Sequence, residues 1–266
     1  MIRRRVWVFP EPGRPVIPIL TVGERRRGKT NDTVNNAVKV DGRYEGDVGV
    51  RHFHSPDDAS GTSPAPAHAV YPPREDTELL LPFARVALGS SLLEIGAGSG
   101  RAALEAARAG ARVVATDLNP WALASLRLRA RAERLALETV RTDLAAGLGR
   151  FDRVLANPPY LPTSPGQRDP DPWHNLALDG GPDGCRVLAR IVGALPDHLA
   201  AGASAFVVVS SLQDAGSLRS IVRVWEALGG RKERVAYRDL EGETLEVWEL
   251  ARAKRSARVS ARARPA

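Results

Sequence analysis

From Tyr71 to Leu250 the chain alternates between short apolar runs and longer stretches of mixed composition. Ser91-Leu92-Leu93-Glu94-Ile95 is the first clear run, and it stops on a glycine. Residues 111–116 (ARVVAT), 137–141 (LETVR), 151–156 (FDRVLA) and 205–210 (AFVVVS) repeat the theme. Short runs rich in Val, Leu and Phe, bounded by Gly, Asp or Asn, predict strands. Between them, residues 101–109 are Ala-rich and predict a helix. Asn119-Pro120 predicts the start of another, with Asn119 as N-cap and Pro120 in the first turn, running to about Leu135. Helix signals cover 184–200 and 214–228 as well. Residues 231–238 and 244–250 predict two closing strands around a hairpin turn at Glu241-Gly242. Strands and helices in alternation predict an α/β fold, a parallel sheet with helices on both faces. Ligands of such sheets sit outside the carboxyl ends of the strands.

The two ends of the chain read differently. Residues 1–69 are rich in Pro, Gly, Asn, Asp and Arg and show no sustained period of 2 or 3.6, so they predict a disordered or loosely attached extension. Within it, Ser55 to Pro66 (SPDDASGTSPAP) has the composition of a linker. Residues 251–266 form a basic tail of small residues and arginine, expected to be solvated. The folded domain is therefore expected over 70–250.

Charge sharpens this division. The net charge is +7, which by itself suggests a nucleic-acid partner. Divided by segment, it is +3 over 1–69, −2 over 70–250 and +6 over 251–266. A field built to grip phosphates belongs on the folded surface, and the central segment is nearly neutral. The one cysteine, Cys185, excludes an internal disulfide and is compatible with a reducing compartment. No apolar run is long enough to span a bilayer. Met1 to Trp7 begins like a signal peptide, but prolines 10, 12, 15 and 18 interrupt any apolar core, so none is expected. A cytoplasmic location follows as the expectation.

Candidate chemistry falls at the strand ends. Gly96-Ala97-Gly98-Ser99-Gly100 follows the first strand and opens a helix. Its spacing is G-x-G-x-G, not the dinucleotide pattern G-x-G-x-x-G. Glu94 stands two residues before the first glycine. A pyrophosphate would be repelled by that acid, whereas a ligand carrying an amine or sulfonium tolerates it. Asp117 ends the second strand, where a carboxylate can accept from both hydroxyls of a ribose. Asp143 ends the third, within reach of an adenine amino group. Three acids at successive strand ends beside a glycine turn point together to S-adenosylmethionine.

The fourth strand ends on Asn157-Pro158-Pro159-Tyr160. A planar NH2 is a poor nucleophile because its lone pair is delocalised. Two acceptors on its two N–H groups hold its face toward a methyl donor and favour the rehybridised nitrogen of the transition state. Asn157 Oδ1 and the Pro158 carbonyl can supply them. Pro159 stiffens the loop and pushes its neighbour into an extended shape, and Tyr160 can stack on the planar group.

These motifs resemble the class I S-adenosylmethionine-dependent methyltransferases. Val70 to Leu80 (VYPPREDTELL) and Leu178 to Gly184 (LDGGPDG) are similar to the HemK/PrmC group of protein-glutamine N5-methyltransferases, and closest to its archaeal and eukaryotic-type branch. The resemblance covers about residues 70–250. It implies a Rossmann-like, seven-stranded, mostly parallel sheet whose last strand is antiparallel. It implies cofactor contacts at Thr77, Glu94, Gly96, Ala97, Gly98, Gly100, Asp117, Leu118, Asp143, Leu144 and Asn157. The catalytic positions it implies are Asn157, Pro158, Pro159 and Tyr160. The substrate implied is the glutamine of the Gly-Gly-Gln motif of a class I translation release factor, and a small zinc-binding activator protein is an implied partner. A departure is the stretch around His174-Asn175-Leu176, longer and more polar than the family pattern.

Two other functions stay open on sequence. The same Asn-Pro-Pro-Tyr serves methylation of an exocyclic amine of adenine or guanine in RNA or DNA. A non-catalytic subunit that binds S-adenosylmethionine is the third, although the intact motif argues against it. His52, His54 and His68 with one distant cysteine give no metal-binding spacing, so no metal is expected. Cys185, Trp225 and Trp248 are expected to pack, and Trp121 to pack rather than border a ligand.

Overall fold

The computed structural model describes residues 70–252. The predicted extension over 1–69 and the basic tail beyond Arg252 lie outside the described residues. The elements are α1 (Glu75–Leu80), β1 (Ser91–Ile95), α2 (Arg101–Arg108), β2 (Arg112–Asp117), α3 (Pro120–Ala132), β3 (Leu137–Arg141), β4 (Phe151–Ala156), α4 (Pro172–Leu178), α5 (Arg186–His198), β5 (Leu199–Ser210), α6 (Ala215–Ala227), β6 (Gly230–Leu240) and β7 (Glu243–Arg252). The seven strands form one sheet in the order β3-β2-β1-β4-β5-β7-β6. β7, the last strand in the chain, runs antiparallel to both β5 and β6, and the remaining pairings are parallel. Flanking helices cover the sheet.

Central strands buried on both faces read as continuous apolar runs, and every residue of β1 is buried. Leu93 of β1 pairs with Val114 of β2 on one side and Val154 of β4 on the other, all three buried. α2 offers a face of Ala102, Ala103, Ala106 and Ala107, small enough for close approach to the sheet. Against β6, Trp225 of α6 is 1 % exposed and donates its indole N–H to the Arg231 carbonyl at 3.1 Å. Burying a side chain of that size contributes about 3 kcal/mol. Trp248 is buried too, under the Lys232 ammonium.

Three differences from the sequence reading have physical causes. α3 ends at Ala132, not near Leu135, because Arg134 takes φ +56°. The N–H of Leu135 bonds the Ala130 carbonyl and that of Arg134 the Arg131 carbonyl, a Schellman ending with arginine where glycine is usual. β5 starts at Leu199, not Ala205, and cuts the predicted helix short at His198. Phe151 pairs with Leu199 and Arg153 with Ser204, so the irregularity lies in β5, whose residues 200–203 have no partner on β4. β7 continues to Arg252, which takes Ala251 and Arg252 out of the predicted tail.

Candidate active site

A cavity of about 180 Å³ opens at the carboxyl ends of β1, β2 and β4. The parallel centre of the sheet delivers three loops to it: the glycine turn after β1, Asp117-Leu118 after β2, and Asn157 to Tyr160 after β4. Thr77 from α1 and Asp143-Leu144 from beyond β3 complete the predicted set. Gly100 is the exception. It caps α2 behind the turn, and a Cβ there would lie 2.5 Å from Leu126 Cδ1, so this glycine serves packing and does not line the cavity.

The turn needs its other glycines for a different reason. Gly96 and Gly98 have φ +69° and +50°, and a Cβ at either meets nothing within 4 Å. Their bare backbone faces open space, as close approach by a ligand requires. The turn is anchored from β2: the Gly98 N–H donates to Asp117 Oδ2 at 2.8 Å, while Asp117 Oδ1 accepts from the Asn119 N–H at 2.8 Å. Asn119 is the predicted cap, its side chain accepting from the Trp121 N–H. Trp121 is half-buried and outside the lining.

Burial dominates the electrostatics. It pushes the Glu94 carboxyl up to about 8, against the pull of the Ala103 N–H that Oε2 accepts at 2.8 Å, and the nearby Asp117 adds to the rise. Burial also holds Asp117 above the usual carboxylate range, opposed by the N–H groups of Asn119 and Gly98. Asp143, by contrast, is ion-paired across the cavity rim with Arg190 of α5. Leu144 takes φ +52°, and its carbonyl accepts from the Thr116 hydroxyl at 2.6 Å.

At the end of β4, Pro158 is buried, and Asn157 Oδ1 is buried without a hydrogen-bond partner. Buried acceptors are normally satisfied, so this oxygen calls for a donor from a ligand. The Tyr160 hydroxyl donates to Asp76 Oδ2 at 3.3 Å. Burial first, and then the charge of Asp76, raise the ionisation of Tyr160 far above the ordinary phenol and that of Tyr71 to about 12.

The chain that leaves Leu161 returns at Asp179, where the two residues form a parallel bridge. α4 lies in this excursion and brings Trp173, Leu176, Ala177 and Leu178 to the cavity wall. The polar residues that depart from the family pattern pin the loop to itself. Asn175 caps the Asp169 N–H at 2.8 Å, and His174 Nδ1 contacts Asp169 Oδ2 at 3.0 Å. The base is clasped by Asp179, 6 % exposed, which bonds Arg168, Arg186 and the Gly181 N–H. Cys185 caps α5 in the buried interior, its thiol pushed up to about 11 by burial and then by Asp183 and Asp214. It packs, as expected.

Sequence reasoning missed Asp76, Arg190 and Trp173. Asp76 was visible in the leader as the acid before Thr77, and Asp171-Pro172 before Trp173 was a helix-start signal. Arg190 lies mid-helix and gave no local signal. Among the described residues no group of His, Cys, Asp and Glu is placed to hold a metal ion, and no helix is long and apolar enough to cross a membrane.

An open glycine backbone, buried carboxylates and an unpartnered amide oxygen fit a ligand that carries a cation, a ribose and an adenine. Fold and site together define a class I S-adenosylmethionine-dependent methyltransferase. The chain matches the family described as "Methyltransferase small domain" over residues 74–170. It is 37% identical over 145 residues to a putative protein N5-glutamine methyltransferase of Methanocaldococcus jannaschii, covering 54% of this chain and 73% of that one. It is 36% identical over 187 residues to the release factor glutamine methyltransferase of Deinococcus radiodurans, covering 64% of this chain and 67% of that one. Among solved structures, the E. cuniculi Mtq2-Trm112 complex, responsible for methylation of the eRF1 translation termination factor, aligns with a TM-score of 0.54 and 26% identity over 70% of this chain and 99% of that chain. The chain belongs to the HemK/PrmC-type family of these methyltransferases.

Proposed function

We propose that the protein transfers a methyl group to the side-chain amide of the glutamine in the Gly-Gly-Gln loop of a class I translation release factor. The observation that carries this reading is the buried, unpartnered Oδ1 of Asn157 at the mouth of β4. An amide NH2 entering there gives one N–H to Asn157 Oδ1 and the other to the Pro158 carbonyl. Pro159 keeps that carbonyl in place, and the Tyr160 ring packs on the amide plane. The nitrogen is thus fixed and its developing positive charge stabilised where the acceptors already point.

The cofactor, when bound, supplies an electrophilic methyl group on a sulfonium. Gly96, Ala97 and Gly98 give it bare backbone, with Thr77 and Glu94 beside its methionine part. Asp117 takes the ribose, and Asp143 borders the adenine with Leu118 and Leu144. A cation beside Glu94 offsets the cost of ionising this buried acid.

The sign of the lining supports a protein substrate. Asp76, Asp117 and Asp143 face the cavity, and its one lining arginine, Arg190, is paired with Asp143. Phosphates of RNA or DNA meet no free cation among the described lining residues. The names of the relatives point the same way. A small activator subunit, a reading that the existence of an Mtq2-Trm112 complex supports, and a cytoplasmic location belong to the same proposal, with residues 70–252 as the catalytic unit. The test is label from tritiated S-adenosylmethionine offered to release factor, total RNA and DNA, with an activator supplied. Label in the release factor that Asn157→Ala abolishes supports the reading. Label in nucleic acid alone replaces it with base methylation, and no label in any of the three makes the chain a binding subunit.

A further inference from the structure

Asp76 is 3 % exposed, yet no Lys or Arg pairs with it among the described residues. Leaving water costs a carboxylate several kcal/mol unless its lone pairs are used. One oxygen is explained locally: Oδ1 accepts from the Thr77 N–H at 2.6 Å and from the Thr77 hydroxyl at 3.3 Å. A first-turn acid does this without being buried, so the local bonds do not account for the position. The second oxygen, Oδ2, points across the cavity and accepts from the Tyr160 hydroxyl. The two residues are 84 positions apart, and this bond joins α1 to the loop after β4. At 3.3 Å it is longer than an ordinary phenol–carboxylate bond. Bonds of this kind often tighten only when the site fills.

The far side of Tyr160 is also fixed. Its carbonyl oxygen lies so near Gly184 that a Cβ there would come within 2.3 Å. The Gly184 carbonyl accepts in turn from Gln213 Nε2 at 2.7 Å. The backbone of Tyr160 is therefore held by the packed turn at Gly184, and the tip of its ring by Asp76. Tyr71 lines the same corner.

We propose that Asp76 is a positioning residue for methyl transfer, holding the Tyr160 ring through its hydroxyl so that the ring fits the plane of the group being methylated. This rests on the function proposed above. It predicts that the effect of Asp76 on kcat passes through Tyr160 and that a hydrogen bond, not the charge, is what matters. An asparagine at this position keeps a bond by donating to the phenol oxygen, and an alanine cannot.

The test is a cycle of Asp76→Ala, Tyr160→Phe and the double variant, with Asp76→Asn as the conservative substitution. It is read as kcat and KM on whichever macromolecule the wild-type enzyme labels, so failure of the release-factor reading leaves it readable. Binding of S-adenosylhomocysteine is measured alongside. The 13C resonance of the Tyr160 ring carbon that bears the hydroxyl, assigned by Tyr160→Phe, reports the bond without any substrate. The expected result is a fall of about tenfold or more in kcat for each single variant. The double variant should stay within about twofold of the weaker single, and Asp76→Asn, which keeps an oxygen for Thr77, should remain close to wild type in kcat and in cofactor-product affinity. The ring-carbon shift moves in Asp76→Ala. Multiplying losses, an Asp76→Asn as poor as Asp76→Ala, or a loss confined to S-adenosylhomocysteine affinity would each overturn the proposal. Should Asp76→Ala not fold, Tyr160→Phe and Asp76→Asn decide it: a kcat lost in Tyr160→Phe and kept in Asp76→Asn upholds the proposal, and a kcat unchanged in Tyr160→Phe or lost in Asp76→Asn overturns it.

Discussion

The carboxylate of Asp117 and the backbone N–H of Gly98 are joined by a 2.8 Å hydrogen bond that ties the glycine turn to the end of β2. The residue assigned to the ribose therefore also shapes the backbone against which the rest of the cofactor lies. Asp117→Ala should weaken both. At about 2 kcal/mol for a hydrogen bond to a charged group, loss of a single cofactor bond lowers affinity roughly 30-fold. Calorimetric titration with S-adenosylhomocysteine checks this, and an unchanged affinity would remove Asp117 from the site.

Glu94 makes stability depend on pH in a direction opposite to that of an ordinary surface acid. Burial raises its folded-state value from 4.5 to about 8. Between those two values the native chain holds a proton that the unfolded chain has released. Stability therefore falls as pH rises through this window and levels off above about 8. Glu94→Gln should remove the slope. Urea unfolding of both proteins from mildly acidic to mildly alkaline pH should show wild type losing ground to the variant as pH rises. A difference independent of pH would contradict the burial of this carboxyl.

Two glycines with nearly the same backbone should respond very differently to alanine. Gly184 has φ +72° and its Cβ would lie 2.3 Å from the Tyr160 carbonyl oxygen, whereas Gly242 has φ +78° and open space around it. Gly242→Ala should cost only the left-handed strain, about 1 kcal/mol, and leave turnover alone. Gly184→Ala should lose more stability and also lower kcat, because the displaced group is the Tyr160 peptide. Thermal unfolding and turnover of the two variants measure the contrast.

Asp179 closes the base of the excursion that carries Trp173 and Leu176 to the cavity. Asp179→Ala removes bonds from Arg168 and Arg186, both about half exposed, and from the Gly181 N–H. The expected loss is about 2 kcal/mol after allowance for solvent around the arginines. Limited proteolysis should then cut within 162–177, which wild type should resist.

Much of this site was legible because its chemistry sits on short contiguous motifs. The glycine turn, Asp117 and Asn157 to Tyr160 all announce themselves at strand ends, and the β-sheet periodicity places those ends together. Asp76 was harder. Its local sequence explains it as a first-turn acid, and only the fold brings Tyr160 to its second oxygen. Arg190 was not legible at all, since an arginine on an amphipathic helix reads as surface until α5 is seen to cross the rim at Asp143. Boundaries failed where the decisive residue broke a propensity rule, as with the left-handed Arg134. Gly100 was expected at the cofactor with the rest of the motif, but its use lies in the contact with Leu126, which no local pattern reveals.

The central claim is that Asn157 presents a buried acceptor to a planar amide. Its most direct test is tandem mass spectrometry of a release factor incubated with S-adenosylmethionine, an activator subunit and either wild-type enzyme or Asn157→Ala. One methyl group on the side-chain nitrogen of the glutamine in Gly-Gly-Gln, present with wild type and absent with the variant, is the predicted result. A methyl group elsewhere, or equal methylation by Asn157→Ala, would contradict it.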